Sequence, residues 1–188
     1  ALVLAAAKQV GRPVKWTADR TESFLTDAHG RDHVTKIELA LDAEGNFLAF
    51  RTDTKANVGA YLSNFSTATP TFLHGTLMGG NYTVPLVYVN VKAVFTNTAP
   101  VDAYRGAGRP EAIYVLERVM DRAARELGVD PFELHRRNFI APANFPYATV
   151  TGESYDVGDF GMILSRATQE ADMEGFAARR AADAETGK

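Results

Sequence analysis

The densest run of chemically capable residues is Ala103-Tyr104-Arg105-Gly106-Ala107-Gly108-Arg109-Pro110-Glu111. Its two arginines supply permanent positive charge and planar hydrogen-bond forks. Its two glycines let the backbone turn sharply and come close to a ligand. Pro110 suits the first turn of a helix, where its missing N–H costs nothing. The run from Glu111 to Leu127 that follows carries apolar residues at Ile113, Leu116, Met120, Ala123, Ala124 and Leu127. That spacing draws one buried helical stripe, and Gly128 stands where a left-handed C-terminal cap belongs. A glycine loop opening a helix presents N–H donors and a partial positive charge, which makes a site for an anion or an electron-rich group. The same pattern also serves as a tight turn before a core helix. Glu111, in the first helical turn, is accounted for by the helix dipole.

Other candidates are weaker. His29 and His33 stand at i, i+4, but Gly30 between them interrupts any helix that would aim them at one metal, so no metal site is expected. The absence of cysteine excludes disulfides, iron–sulfur ligation and thiolate metal sites from this chain.

The elements that must position the loop read as strands first and helices afterwards. Residues 1–10 form a helical pattern ended by Gly11, and Val14-Lys15-Trp16-Thr17 alternates like a short strand. Val34–Leu41 alternates cleanly, Asp42–Asn46 is a turn, and Phe47–Val58 returns as the second strand of an antiparallel hairpin. A further strand runs from Val84 to Thr96. Beyond the long helix, Asp130-Pro131-Phe132-Glu133 starts a short one with an N-cap, a proline and a glutamate. Asp159 caps another through Ala171, and the stretch from Asp172 to Lys188 is helical by propensity. The pattern implies an α+β fold with a mainly antiparallel or mixed sheet packed with helices, strand-rich over 1–100 and loop plus helix-rich over 101–188.

With 188 residues, 46% hydrophobic and 23% charged, the chain can bury a sizeable core. A net charge of −3 and a pI near 5.8 give no reason to expect nucleic acid or a membrane as partner. The opening Ala-Leu-Val-Leu-Ala-Ala-Ala-Lys reads as a helix cut in its middle, so the expectation is a piece of a longer protein.

Four segments occur in order: Arg12-Pro13-Val14-Lys15-Trp16, Asn57-Val58-Gly59-Ala60-Tyr61, the Tyr104–Arg109 loop, and Arg136-Arg137-Asn138-Phe139-Ile140. Together they resemble the molybdenum-binding large subunit of the xanthine dehydrogenase, aldehyde oxidase and carbon monoxide dehydrogenase family. The form most similar is the carbon monoxide dehydrogenase-like one with a Tyr-Arg-Gly-Ala-Gly-Arg loop. The resemblance implies a molybdenum–molybdopterin cofactor, as molybdopterin itself or its cytosine dinucleotide form, beside Tyr104, Arg105 and Gly106. It implies a substrate pocket at Ala107, where purine-oxidising relatives carry an aromatic ring. It leaves open whether Arg105 contacts the cofactor or braces the loop to a carboxylate, and whether Tyr104 walls the pocket or sits in the core. Implied partners are an iron–sulfur subunit or domain, an FAD subunit or domain, and a small-molecule substrate, in a cytoplasmic dimer of the full complex.

Three departures qualify the resemblance. The cysteine that holds copper in carbon monoxide dehydrogenases is Gly106 here, and without it there is no soft ligand for Cu(I). The counterpart of a purine-binding arginine is Leu73, which suits an aldehyde or neutral N-heterocycle. The family's catalytic glutamate falls outside this sequence, so no catalytic residue is assigned and the chain alone is expected to be inactive. The other expectation is a non-catalytic domain with a structural or subunit-interface role.

Overall fold

Two alternating strands lay down the centre of the fold in a computed structural model that describes residues 1–187. In β1 (His33–Leu41) every second residue, from His33 through Thr35, Ile37 and Leu39 to Leu41, turns inward. Strand β2 (Phe47–Gly59) runs antiparallel to it, with Ile37 opposite Thr52 and an irregularity between Ala40 and Leu41. The turn between them is organised by Asp42. Its carboxylate accepts from the Asn46 N–H at 2.7 Å, the Asn46 side-chain amide at 2.8 Å and the Glu44 N–H at 3.1 Å. β3 (Val87–Phe95) pairs with the other edge of β2 in parallel, giving the order β1-β2-β3. The intervening chain is long enough for the crossover that a parallel strand requires. The fold is therefore α+β with a mixed sheet.

Helix α1 (Leu2–Val10) ends at Gly11 in the left-handed conformation. Val14–Thr17 is not a strand; those residues are irregular, because four alternating side chains with no neighbouring strand to bond make no ladder. The chain instead enters α2 (Arg20–Thr26) through a reciprocal cap. The Glu22 N–H donates to Asp19 at 2.8 Å, and the Asp19 N–H donates to Glu22 at 3.0 Å. A short π-helical segment, Thr69–Leu73, interrupts the long crossover.

Helix α3 (Arg109–Leu127) lies over β1 and buries Ala112, Leu116, Met120 and Ala124. This stripe is narrower than the sequence implied: Ile113 and Leu127 are exposed. The alanines on the buried line let the helix sit close to the sheet, and Ile113 falls one position off that line. The core joins these residues to Phe47, Phe50, Met78, Tyr82 and Val84, and to Leu134 of α4 (Pro131–Asn138). Asp130 caps α4 by accepting from the Glu133 N–H at 3.0 Å. At its other end, buried Asn138 accepts from the Phe47 N–H at 2.8 Å. Its amide donates to the carbonyls of Gly45 (3.0 Å) and Leu134 (2.9 Å). One side chain thus pins α4 to the hairpin turn, while Phe139 stacks on Tyr82 with ring centroids 5.6 Å apart. A two-residue hairpin, β4 (Tyr147–Ala148) with β5 (Ser154–Tyr155), precedes α5 (Phe160–Glu170) and α6 (Phe176–Glu185). Lys188 lies outside the described residues, none of whose helices is long and apolar enough to cross a membrane.

Candidate functional site

The glycine loop hangs between two fixed ends. At its start Asp102 accepts from the Ala103 N–H at 2.6 Å, the Phe65 N–H at 3.0 Å and the Ser63 hydroxyl. Burial pushes the Asp102 carboxyl up, but these hydrogen bonds outweigh it and hold the group below the usual carboxylate range. At the far end Gly108 precedes α3 with no side-chain cap. A Cβ on Gly108 would stand 2.6 Å from the carbonyl carbon of Leu73 and 2.7 Å from the His74 nitrogen. Only a bare backbone allows that approach, which sets the loop directly against the π-helical segment. Between the ends, Gly106, Ala107 and Gly108 have φ of 90°, 20° and 82°. The Ala107 N–H closes onto the Tyr104 carbonyl at 2.7 Å and the Arg109 N–H onto Gly106 at 3.1 Å.

A second segment, residues 29–33, runs beside the loop. His29 bridges to Val101, its N–H donating to the Pro100 carbonyl at 3.1 Å and its carbonyl accepting from the Asp102 N–H at 2.9 Å. Gly30 abuts Tyr104 so closely that a Cβ there would lie 2.5 Å from the tyrosine Cβ. Arg31 then reaches the loop at three places. Its Nη2 donates to the Arg105 carbonyl, its Cζ sits 4.9 Å from the Tyr104 ring centroid, and its Nε lies 3.8 Å from Glu111 Oε1.

Glu111 is more than a partner of the helix dipole. Its side chain is only 8% exposed, and both carboxylate oxygens lack a hydrogen-bond partner. Nearby, the rings of His33 and His74 meet edge to face at 5.4 Å. Burial lowers the pKa of both imidazoles. The Glu111 carboxylate works against that at each, and the charge of His33 adds to it at His74. His33 Nδ1 and both ring nitrogens of His74 also lack partners. Arg31, His33, Glu111 and Tyr114 line a cavity of about 450 Å3 here. Among the described residues no three His, Cys, Asp or Glu side chains are arranged to hold a metal ion.

The structure places Tyr104, Arg105, Gly106 and Ala107 together at the loop's apex. Tyr104 is 62% exposed and so is not a core tyrosine. Arg105 is exposed and takes part in the loop through its carbonyl; the adjacent carboxylate, Glu111, is paired with Arg31. Within the described residues Arg105 does not brace the loop to a carboxylate. Its guanidinium has no carboxylate partner among the described residues. Arg31, Asp102 and the buried His74 did not stand out in the sequence, while His33 and Glu111 were noticed there only as part of a weak metal pair and as a helix-dipole partner. The one signal was the charged run His29-Gly30-Arg31-Asp32-His33 around a glycine.

Comparisons with known proteins find relatives of the whole chain. Residues 1–139 match the molybdopterin cofactor-binding domain family. The chain is 38% identical to the carbon monoxide dehydrogenase large chain of Hydrogenophaga pseudoflava, over 92% of this chain and 22% of the relative. It is 31% identical to the nicotine 6-hydroxylase large subunit of Paenarthrobacter nicotinovorans, over 97% of this chain and 22% of that one. Among solved structures, quinoline 2-oxidoreductase from Pseudomonas putida 86 superposes with a TM-score of 0.89 at 33% identity, covering 99% of this chain and 24% of that one. The chain spans about a fifth of the length of the curated relatives it matches.

Proposed function

The chain belongs to the molybdopterin cofactor-binding domain family, and from that membership we propose that it forms one wall of the active site of a molybdenum hydroxylase large subunit. The whole enzyme hydroxylates an aldehyde or an N-heterocycle carbon with oxygen from water and passes the electrons to iron–sulfur and flavin partners. The observation that carries this reading is the Arg105 guanidinium, exposed and without a carboxylate partner among the described residues, on a loop whose backbone turns through three successive positive-φ residues.

The residues present fit such a cofactor. Gly106 has no side chain to hold the ligand off, and the guanidinium offers a planar donor set to an oxygen-rich group. When bound, the cofactor supplies the two-electron redox chemistry that amino-acid side chains lack. This chain orients and excludes. Arg105 donates to developing negative charge in a dry site, Tyr104 forms a wall, and Ala107 leaves room for substrate. The general base is a glutamate outside this sequence. The cytosine dinucleotide form of the cofactor, a cytoplasmic setting and a dimeric complex belong to the same reading.

Two features steer the substrate class. A glycine at position 106 gives Cu(I) no thiolate, so carbon monoxide is not the proposed substrate. Leu73 brings no charge to the loop, and two of the similar proteins are named for nicotine and quinoline, both N-heterocycles. In the holoenzyme containing this chain, Arg105→Ala lowers kcat on the order of 10²–10³ while Tm stays nearly constant. Arg105→Lys restores part of it, since an ammonium lacks the planar fork. Full activity in both variants, with early melting, would make Arg105 structural and overturn the assignment.

A further inference from the structure

The conformation of the glycine loop is not self-sustaining. Positive φ at three successive residues, one of them an alanine, persists only where the surroundings over-determine it. Asp102 fixes the loop's beginning, and the contact of Gly108 with the Leu73 and His74 backbone fixes its end. The apex, from Tyr104 to Gly106, is held from outside by Arg31, whose Cα precedes the loop by 74 positions at Arg105.

We propose that Arg31 is the positioning residue of this loop: spanning the Arg105 carbonyl, the Tyr104 ring and the Glu111 carboxylate, it sets the apex so that the Arg105 guanidinium is left free to face the cofactor. The proposal rests on the reading of the loop as a cofactor wall, but the clamp itself has its own physical basis. Glu111 is nearly enclosed, and the burial that depresses the His33 and His74 pKa keeps both imidazoles from answering its charge at neutral pH. Arg31 is its only cationic partner among the described arginines and lysines. The Arg31 side chain keeps 37% of its surface in solvent, so the attraction is partly screened, but removing it leaves the enclosed carboxylate with no cation beside it. The guanidinium also has the shape to serve the other two partners. Its flat face can cover the Tyr104 ring while its edge donates to the carbonyl. A lysine could keep the charge opposite Glu111 but could not make all three contacts at once.

The test is amide hydrogen exchange on the holoenzyme, with Arg31→Ala and Arg31→Lys compared with the native protein. In Arg31→Ala the Ala107 and Arg109 amides exchange about ten-fold faster or more, while the β2 amides keep their protection. Arg31→Lys falls between. Steady-state kinetics add a second readout: kcat falls and KM for a small aldehyde stays nearly constant, because Arg31 orients the loop without touching substrate. Loop amides at the native rate, with β2 protection intact, would overturn the clamp. Should Arg31→Ala lose protection throughout, Arg31→Lys decides by the same criterion. Faster loop exchange with unchanged kcat would uphold the clamp and overturn the cofactor reading instead.

Discussion

Replacing Gly108 by alanine puts a methyl carbon 2.6 Å from the Leu73 carbonyl carbon, at a φ of 82°. The atom it meets is backbone, which cannot swing aside as a long side chain would. Strain in the left-handed region and a displaced segment together cost about 3 kcal/mol or more. Gly128 supplies the control. It also has positive φ, at 68°, but a Cβ there meets nothing within 4 Å. Gly128→Ala therefore costs only the backbone term, about 1–2 kcal/mol. Denaturant unfolding of both variants reads the difference directly; equal losses would mean that the Gly108 contact carries no energy. The sequence identified the loop through its glycines but not the reason for the second one, because its neighbour lies 35 residues away at Leu73.

At the level of elements, α3 and α4 are joined by a polar bridge with a definite pH response. His135 Nε2 lies 2.7 Å from Glu117 Oε2 and Nδ1 lies 2.6 Å from the Pro131 carbonyl oxygen. Both partners are acceptors, so both ring nitrogens donate only in the imidazolium. The hydrogen bond to Glu117 raises the His135 pKa above its ordinary value. Burial pushes Glu117 up, but hydrogen bonds from His135 and Tyr82 prevail and hold it low. A raised histidine pKa stabilises the fold below the unfolded value and loses that contribution as pH rises through the folded one. His135→Gln should therefore destabilise by about 1–3 kcal/mol near pH 6 and by less near pH 9. Burial depresses His33 and His74 instead, so their penalty sets in as pH falls; the wild-type-minus-variant difference isolates His135. A difference that stays constant with pH would mean that His135 is neutral in the fold. The same elements show what periodicity can reveal. β1, β2, α3 and α4 announced themselves through alternation and caps, whereas the parallel direction of β3 depends on how the chain returns from its crossover. The Asp19–Glu22 cap of α2 was present in the sequence but was masked by reading Val14–Thr17 as a strand.

At the scale of the molecule, large apolar side chains stand in solvent, among them Phe24 at 77% and Leu25 at 79% exposure. Apolar surface of this kind marks places where other protein packs. Expressed alone in a molybdenum-competent host, the chain should bind a hydrophobic dye, hold no stoichiometric molybdenum and oxidise no aldehyde. Metal analysis and a dye-linked assay decide this, and stoichiometric metal with turnover would refute it. The core and sheet were readable from periodicity because their causes are local. The clamp was not, since Arg31, Tyr104 and Glu111 meet only after the β1–β2–β3 sheet and α3 have formed around them. The backbone contact between Gly108 and Leu73 has one last consequence, for how this site changes its substrate over time. Ala107 is bonded to Gly108, whose backbone lies directly against that of Leu73, so neither position is an independent dial. Under selection, natural or in the laboratory, positions 73 and 107 form one epistatic unit whose paired changes outrun the sum of the single ones.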